Sequence, residues 1–175
     1  MLFSGKIQEE LNKQINKEFY SEYTYLSMTA YFESINLDGF ANFFYVQAQE
    51  EHFHAMKLFN FVHRMGGVVT LTSLEGPPVK FDSILDAFNK ALKQEEDIKT
   101  SIDNLVNLAK SENNHAVETF LQWYVDEQVE EIDLFNKYIG KLELINGEGH
   151  GLLMMDNEFG QRRADAAVLS GSIKD

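Results

Sequence analysis

The stretch QEEHFH at positions 49–54 decides the fold of this chain. Within it Glu51 and His54 stand three positions apart, so both side chains leave one face of a helix and can converge on one point. Hydrophobic residues recur around them at steps of three and four, which predicts that this face looks inward. The inward stripe reads Phe40, Phe44, Gln47, Glu51, His54, Leu58, Phe61 and Met65. Ionisable groups on an inward face are costly unless something compensates them, and this spacing suits metal ligands.

The same polar pattern recurs at an offset of 77 residues. At this offset Glu18 corresponds to Glu95, and the hydrophobic residues of the two halves correspond as well. The other polar pairs are Glu50 with Glu127, Glu51 with Gln128, and His54 with Glu131. The repeat therefore predicts two helical hairpins that carry polar groups in matching places.

Apolar periodicity predicts four long helices, at about residues 4–35, 39–65, 84–110 and 115–144. Short turns follow the first and third helices, whereas about 17 residues without helical periodicity follow the second. An extended segment of that length can span about 55 Å, more than the roughly 40 Å of a 27-residue helix. The predicted fold is therefore an all-α four-helix bundle with one long crossover between helices 2 and 3.

The bundle should occupy residues 1–145 as one domain. A short C-terminal fifth helix is predicted within residues 146–163, at about 151–163, and residues 164–175 should form a flexible tail. The first helix carries a second apolar stripe, formed by Phe19, Tyr23, Leu26 and Ala30. Two interpretations of that stripe are open: a neighbouring subunit covers it, or the helix is deeply buried within one chain.

Charge and residue composition exclude some classes of partner and indicate the compartment in which the protein works. A formal net charge of −13 argues against a nucleic-acid partner and an anionic membrane, since both would repel the protein. The chain has no cysteine, so it has no disulfides or thiolate metal ligands. It shows no signal peptide and no apolar run long enough to span a membrane. We expect a cytoplasmic protein.

Six polar groups should meet at one level of the bundle, because each interrupts its apolar stripe near mid-helix. Four of them are the carboxylates of Glu18, Glu51, Glu95 and Glu131, and no Lys or Arg lies in the four stripes to neutralise them. Two divalent cations would balance these charges. Oxygen ligands with one imidazole favour iron or manganese, although such a site could also bind zinc.

Three segments resemble the non-haem ferritins of bacteria and archaea: NKEFY at 16–20, AQEEHFH at 48–54 and FLQWYVDEQVEE at 120–131. The resemblance extends over about residues 1–160. It implies a ferritin-like bundle in a homo-oligomeric shell of 24 subunits. The shell would oxidise Fe(II) with O₂ or H₂O₂ and store the ferric mineral inside. No haem is expected.

The resemblance also implies a role for each polar residue. Glu18, Glu51 and His54 would hold the first iron, and Glu51 would bridge to a second iron. The other implied roles are Glu95 and Glu131 as ligands of the second iron, Gln128 beside the bound oxygen species, Tyr25 next to the centre, and Glu50, Glu127 and Glu130 as the additional third-iron site. In place of the Met ligand of haem-binding relatives this chain has His52, which we interpret as a surface histidine.

Three other classes of protein fit the sequence less well. A rubrerythrin-like peroxidase usually adds a Cys-x-x-Cys iron domain, which a chain without cysteine lacks. A DNA-protecting mini-ferritin places its ligands between subunits and lacks the central four glutamates. A non-catalytic helical binding module would need no buried carboxylates, and its stripes would be apolar throughout.

Overall fold

The computed structural model describes residues 1–146, 149–165 and 168, and in that part of the chain it contains five helices and no strand. They are α1 (Gly5–Ser34), α2 (Asp38–Arg64), α3 (Ile84–Ser111), α4 (His115–Leu144) and α5 (Gly149–Gly160). The predicted all-α bundle with a fifth helix is confirmed, and the bounds of the four long helices agree to within one residue. Within the described residues, no helix has the length and apolarity needed to cross a membrane.

Side-chain caps fix where the helices begin. The hydroxyls of Ser4 and Ser83 and the side-chain oxygen of Asn114 each accept a bond from the backbone N–H three residues on. The cap residue of α2, Leu37, cannot do this, and the carboxylate of Asp156 on α5 accepts from the N–H groups of Gly39 and Phe40 instead, at 2.8 and 3.0 Å. The fifth helix thus caps the second.

Each long helix ends at a residue with positive φ. Asn36, Asn113 and Asn146 end α1, α3 and α4 at φ of 59°, 54° and 51°, and Gly66 ends α2 at 74°. Asparagine and glycine tolerate this left-handed conformation better than other residues do, so the chain can turn back without strain.

The crossover between α2 and α3 runs along the whole of α1. Three amide side chains of α1, four residues apart, accept from the N–H groups of alternate crossover residues at 2.8–2.9 Å: Gln8 from Val68, Asn12 from Thr70 and Asn16 from Thr72. The spacings match, because four helical residues rise about 6 Å and two extended residues about 6.6 Å. Further on, Ser27 donates to the carbonyl of Pro78 at 2.6 Å. The crossover therefore returns to the end where α2 began, and α3 starts beside it, parallel to α2.

The core consists of two apolar clusters at opposite ends of the bundle. One is aromatic and includes Phe32, Phe40, Phe43, Phe44, Phe88, Phe135 and Phe159. The other is mainly aliphatic and includes Ile7, Leu11, Ile15, Leu58, Ile98, Ile102 and Leu105. The buried polar residues of the four stripes belong to neither cluster, so a polar layer separates the two apolar ends of the bundle.

The structure changes three details of the sequence prediction. The apolar stripe of α1 also predicts Glu22 and Thr29 on the inward face, but both are only partly buried. Ser21 and Met28 take the inward places instead, because a 3.6-residue period drifts from steps of four. The helix α5 begins two residues and ends three residues earlier than predicted, since the chain leaves it after Gly160 to fold back onto α2.

The predicted tail falls mostly outside the described residues, which end at 165 apart from 168. Its first residue, Ala164, is buried. On the second apolar stripe of α1, Tyr23 and Leu26 are 46% and 39% exposed. The interpretation in which one chain buries this stripe is therefore wrong.

Gly39 allows α5 to lie directly on α2, and replacing it should undock α5. A Cβ at this position would overlap the carbonyl oxygen of Asp156, which is backbone and cannot swing away. We expect Gly39→Ala to lower the free energy of unfolding by about 1–3 kcal/mol and to speed hydrogen exchange in residues 149–160. Gly140→Ala on α4 is the matched control, because a Cβ there meets nothing within 4 Å. Equal exchange of α5 in both variants would contradict the close approach.

Candidate metal centre

Six predicted residues form the buried polar layer. All four long helices contribute: Glu18 from α1, Glu51 and His54 from α2, Glu95 from α3, and Gln128 and Glu131 from α4. None is more than 5% exposed. The helical stripes therefore converge at one level, as the sequence predicted.

Three of these residues already form a ligand set. One ligand atom each from Glu18, Glu51 and His54 lies within 4.8 Å of the others, and Nδ1 of His54 is 3.6 Å from a carboxylate oxygen of Glu51. In the other half of the repeat, Nε2 of Gln128 donates to the carboxylate of Glu95 at 2.9 Å. The two halves thus pair corresponding positions, Glu18 with Glu51 and Glu95 with Gln128.

Neutral donors hold three of the four central carboxylates. The side-chain amide of Gln14 donates to Glu18 and that of Gln47 donates to Glu131, each at 2.8 Å. The hydroxyl of Tyr25 donates to Glu95. These donors orient the carboxylates without cancelling their charge, so a cation can still bind.

Several carboxylate oxygens at the centre have no hydrogen-bond partner in the described part of the chain. They are both oxygens of Glu51 and one oxygen of Glu18. Buried polar atoms are nearly always paired, and an unpaired buried carboxylate oxygen is costly. Oxygens that converge with an imidazole nitrogen in this way are suited to a divalent metal ion.

The crowding of negative charge shows in the protonation of the carboxyls. Burial and then the charge of Glu131 raise the pKa of Glu95 to about 8, against hydrogen bonds from Tyr25 and Gln128 that lower it. Burial and the charge of Glu95 hold the pKa of Glu51 well above its ordinary value. Burial lowers the pKa of His54, but the charge of Glu51 and other neighbouring carboxylates raise it to well above its ordinary value. A metal ion would have to displace these protons as it binds.

This charge crowding predicts how the stability of the metal-free protein depends on pH. The pKa of Glu95 lies at about 8 in the folded chain against an ordinary value of 4.5, so the folded state holds the proton more tightly. The free energy of unfolding must therefore fall as pH rises between those two values, and below 4.5 the effect is absent. Glu95→Gln removes this penalty, and we expect a gain of about 2–4 kcal/mol at pH 8 and almost none at pH 4.5.

Denaturant unfolding of the metal-free protein at several pH values measures this difference. Glu96→Gln is the matched control, since Glu96 is the neighbouring glutamate on α3 and is exposed. A Glu95→Gln variant whose stability stays parallel to that of the parent at all pH values would contradict the raised pKa.

The three residues predicted for an additional iron site are only partly brought together. Glu50 and Glu127 lie beside the centre, and a carboxylate oxygen of Glu127 is 3.7 Å from Nε2 of His54. Glu130 is exposed. The carboxylate of Glu50 meets the guanidinium of Arg162 at 2.8 Å. Burial raises the pKa of Glu50 to about 7, although the Arg162 charge opposes the shift.

Some functional candidates were foreseeable from the sequence and others were not. Gln14 precedes Glu18 by four positions, so helical spacing could have identified it as a donor. Gln47 was placed on the inward stripe, but its bond to Glu131 joins two helices. Arg162 follows the fifth helix, and nothing local in the sequence links it to Glu50. His52 is exposed, as predicted, and lies 3.0 Å from Glu22.

Comparisons with known proteins show which family the chain resembles. Residues 8–145 match the family described as ferritin-like domain. The bacterial non-heme ferritin of Staphylococcus aureus is 35% identical over 164 residues, which cover 94% of this chain and 99% of that protein. A solved open pore ferritin from the hyperthermophilic archaeon Archaeoglobus fulgidus is 46% identical, with a TM-score of 0.91 over 93% of this chain and 99% of that one. A humanized archaeal ferritin has a TM-score of 0.92 at 44% identity, covering 93% and 99% of the two chains.

Proposed function

Because this chain belongs to the ferritin family, we propose that it stores iron and is itself a ferroxidase, with Fe(II) as its substrate. Fe(II) would be oxidised by O₂ or H₂O₂ at a two-iron centre inside each bundle. The Fe(III) would then be deposited as mineral within a shell of 24 subunits in the cytoplasm.

The observation that carries this proposal is the set of unpaired carboxylate oxygens on Glu51 and Glu18 beside His54. A structural role alone does not account for four carboxyls in a buried layer, because each costs several kcal/mol in its charged form unless a cation compensates it. Two divalent ions would balance the four charges. The layer sits between two apolar clusters, which would exclude bulk water from the ions.

In the proposed reaction Glu18, His54 and one oxygen of Glu51 bind the first Fe(II). The other oxygen of Glu51 reaches the second Fe(II), which Glu95 and Glu131 complete. Each ion gives up one electron, so a bound pair supplies two electrons. Together with two protons from water, these reduce O₂ to H₂O₂ or H₂O₂ to two water molecules. Gln128 and Tyr25 both donate to Glu95, and they would hold that carboxylate in place as charge builds up on the iron.

Glu50, Glu127 and Glu130 are proposed as ligands of an additional iron. Support comes from Glu50 and Glu127, which lie next to the main centre and near His54 and Glu131. Glu130 would have to turn inward to join them, since its side chain is exposed.

Iron loading of the metal-free protein in air tests the proposed function. We expect uptake of hundreds of iron atoms per particle, measured as iron that co-elutes with protein on gel filtration. Uptake of two iron atoms per chain would indicate a peroxidase-like centre without storage. Uptake of none would refute both the ferroxidase and the storage function.

A further inference from the structure

A basic side chain from outside the bundle forms an ion pair with one of the proposed iron ligands. After α5 the chain folds back and brings Nη2 of Arg162 to within 2.8 Å of a carboxylate oxygen of Glu50. The side chains of Arg162 and Glu50 are only 20% and 15% exposed. The charges of His54 and Glu131 act on Glu50, and the Arg162 charge acts on Glu131, so this guanidinium lies at the edge of the metal centre.

Arg162 is held in place by contacts that do not involve Glu50. Its guanidinium carbon lies 4.5 Å from the centre of the Phe43 ring, and Nη1 donates to the Phe43 carbonyl at 3.5 Å. The backbone carbonyl of Arg162 accepts from the side-chain amide of Asn42 at 3.1 Å. Because Asp156 also fixes α5 at the start of α2, the fold itself sets the position of this positive charge.

A guanidinium on one oxygen of Glu50 repels a metal ion that approaches the same carboxylate, since both are positive. An arginine keeps its charge at every pH that the protein experiences, so deprotonation cannot relieve the competition. We propose that Arg162 is a tethered cation that competes with iron for Glu50, so the additional site binds iron weakly until the guanidinium has left that carboxylate.

This proposal rests on the proposed function, because it takes Glu50 as a ligand of the additional iron. Its consequence is an order of filling. The two central sites contain no arginine or lysine among their hydrogen-bond and ion-pair partners in the described residues, so they fill first. The additional site binds more weakly for as long as the fifth helix keeps Arg162 on Glu50.

The test is an anaerobic calorimetric titration of the assembled, metal-free protein with Zn²⁺, which binds without redox chemistry. We expect two strong sites per chain and a weaker third site. Arg162→Met keeps an apolar stem over Phe43 and removes the charge, and it should tighten the third site at least tenfold. The two strong sites should change much less, because the Arg162 charge also acts on Glu131 but its guanidinium donates to Glu50. Arg162→Lys retains a charge and should stay within about threefold of the parent, as a weaker single-point competitor.

Arg163→Met is the matched control, because Arg163 is exposed and its guanidinium donates to the carbonyls of Gly160 and Arg162. It should leave all three affinities unchanged. In a Glu50→Gln background, Arg162→Met should no longer affect the third site. An unchanged or weaker third site in Arg162→Met would overturn the proposal, as would tightening that persists without Glu50.

The titration also distinguishes a failure of the proposed two-iron centre from a failure of the proposed role of Arg162. If the parent protein lacks the two strong sites, then the proposed two-iron centre itself fails. If both strong sites are present and Arg162→Met has no effect on the third, then only the role of Arg162 fails.

Discussion

Replacing Glu51 with alanine should abolish the rapid phase of Fe(II) oxidation and slow it by more than about 100-fold, since even substitutions around a metal's ligands cost about 10–100-fold. Among the residues that the structure describes, Glu51 is the one whose two carboxylate oxygens are both buried and without a hydrogen-bond partner. It lies between the Glu18–His54 side of the centre and Glu95, whose charge acts on it. His54→Ala should have the same effect, because it removes the sole imidazole of this ligand set.

Stopped-flow absorbance after mixing with Fe(II) in air measures the rapid phase. Glu22→Ala is the matched control, because Glu22 lies one turn beyond Glu18 on α1 but turns away from the centre to meet the exposed His52. The metal-free Glu51→Ala variant should be no less stable than the parent, since it loses a buried polar group that has no hydrogen-bond partner among the described residues. A rapid phase that survives in both the Glu51 and His54 variants would exclude this centre as the site of oxidation.

Placing a charge on the exposed stripe of α1 should prevent the shell from forming. Tyr23 and Leu26 line an apolar groove of about 440 Å³ together with Phe19, Leu71 and Leu74, and this surface belongs to both α1 and the crossover. A two-fold contact would use the same surface on both copies, so one substitution places two like charges in one interface. Leu26→Glu should therefore reduce the particle from the proposed mass of about half a megadalton, for 24 chains of 20.1 kDa, to species of one or a few chains.

Light scattering on the metal-free protein measures the particle mass. Val129→Glu is the control, because Val129 is 58% exposed on α4 and lies outside the groove. The Leu26→Glu chain should still bind two metal ions, since the centre lies inside each bundle. A parent protein that is a stable monomer or dimer at micromolar concentration would contradict the storage function, even with every iron ligand correct.

The sequence could predict what the helical period determines. Glu18, Glu51, His54, Glu95, Gln128 and Glu131 each interrupt an apolar stripe, and a helix that buries the stripe must bury them too. The repeat also predicts that these residues lie at one height in the bundle, because two equivalent hairpins place equivalent residues at the same height. For the same reason the bounds of α1 to α4 could be predicted from the asparagines, serines and glycines at their ends.

The sequence could not predict contacts that depend on how elements meet. Arg162 reaches Glu50 only because α5 folds back on α2, and that approach depends on the missing Cβ of Gly39 and on the cap from Asp156. The bond from Gln47 to Glu131 depends on the rotation of α2 against α4. Local periodicity contains no information on how α5 packs on α2 or on how α2 is rotated against α4. These contacts can therefore be identified only from the three-dimensional structure.

The most direct test of the two-iron centre is a crystal of the metal-free protein soaked with Fe(II) under anaerobic conditions, with anomalous diffraction recorded at the iron edge. Our account predicts two iron peaks per chain within the bundle. One should lie among Glu18, Glu51 and His54, and the other among Glu51, Glu95 and Glu131, with Glu51 touching both. Iron bound only at surface carboxylates, with no peak in the buried layer, would contradict it.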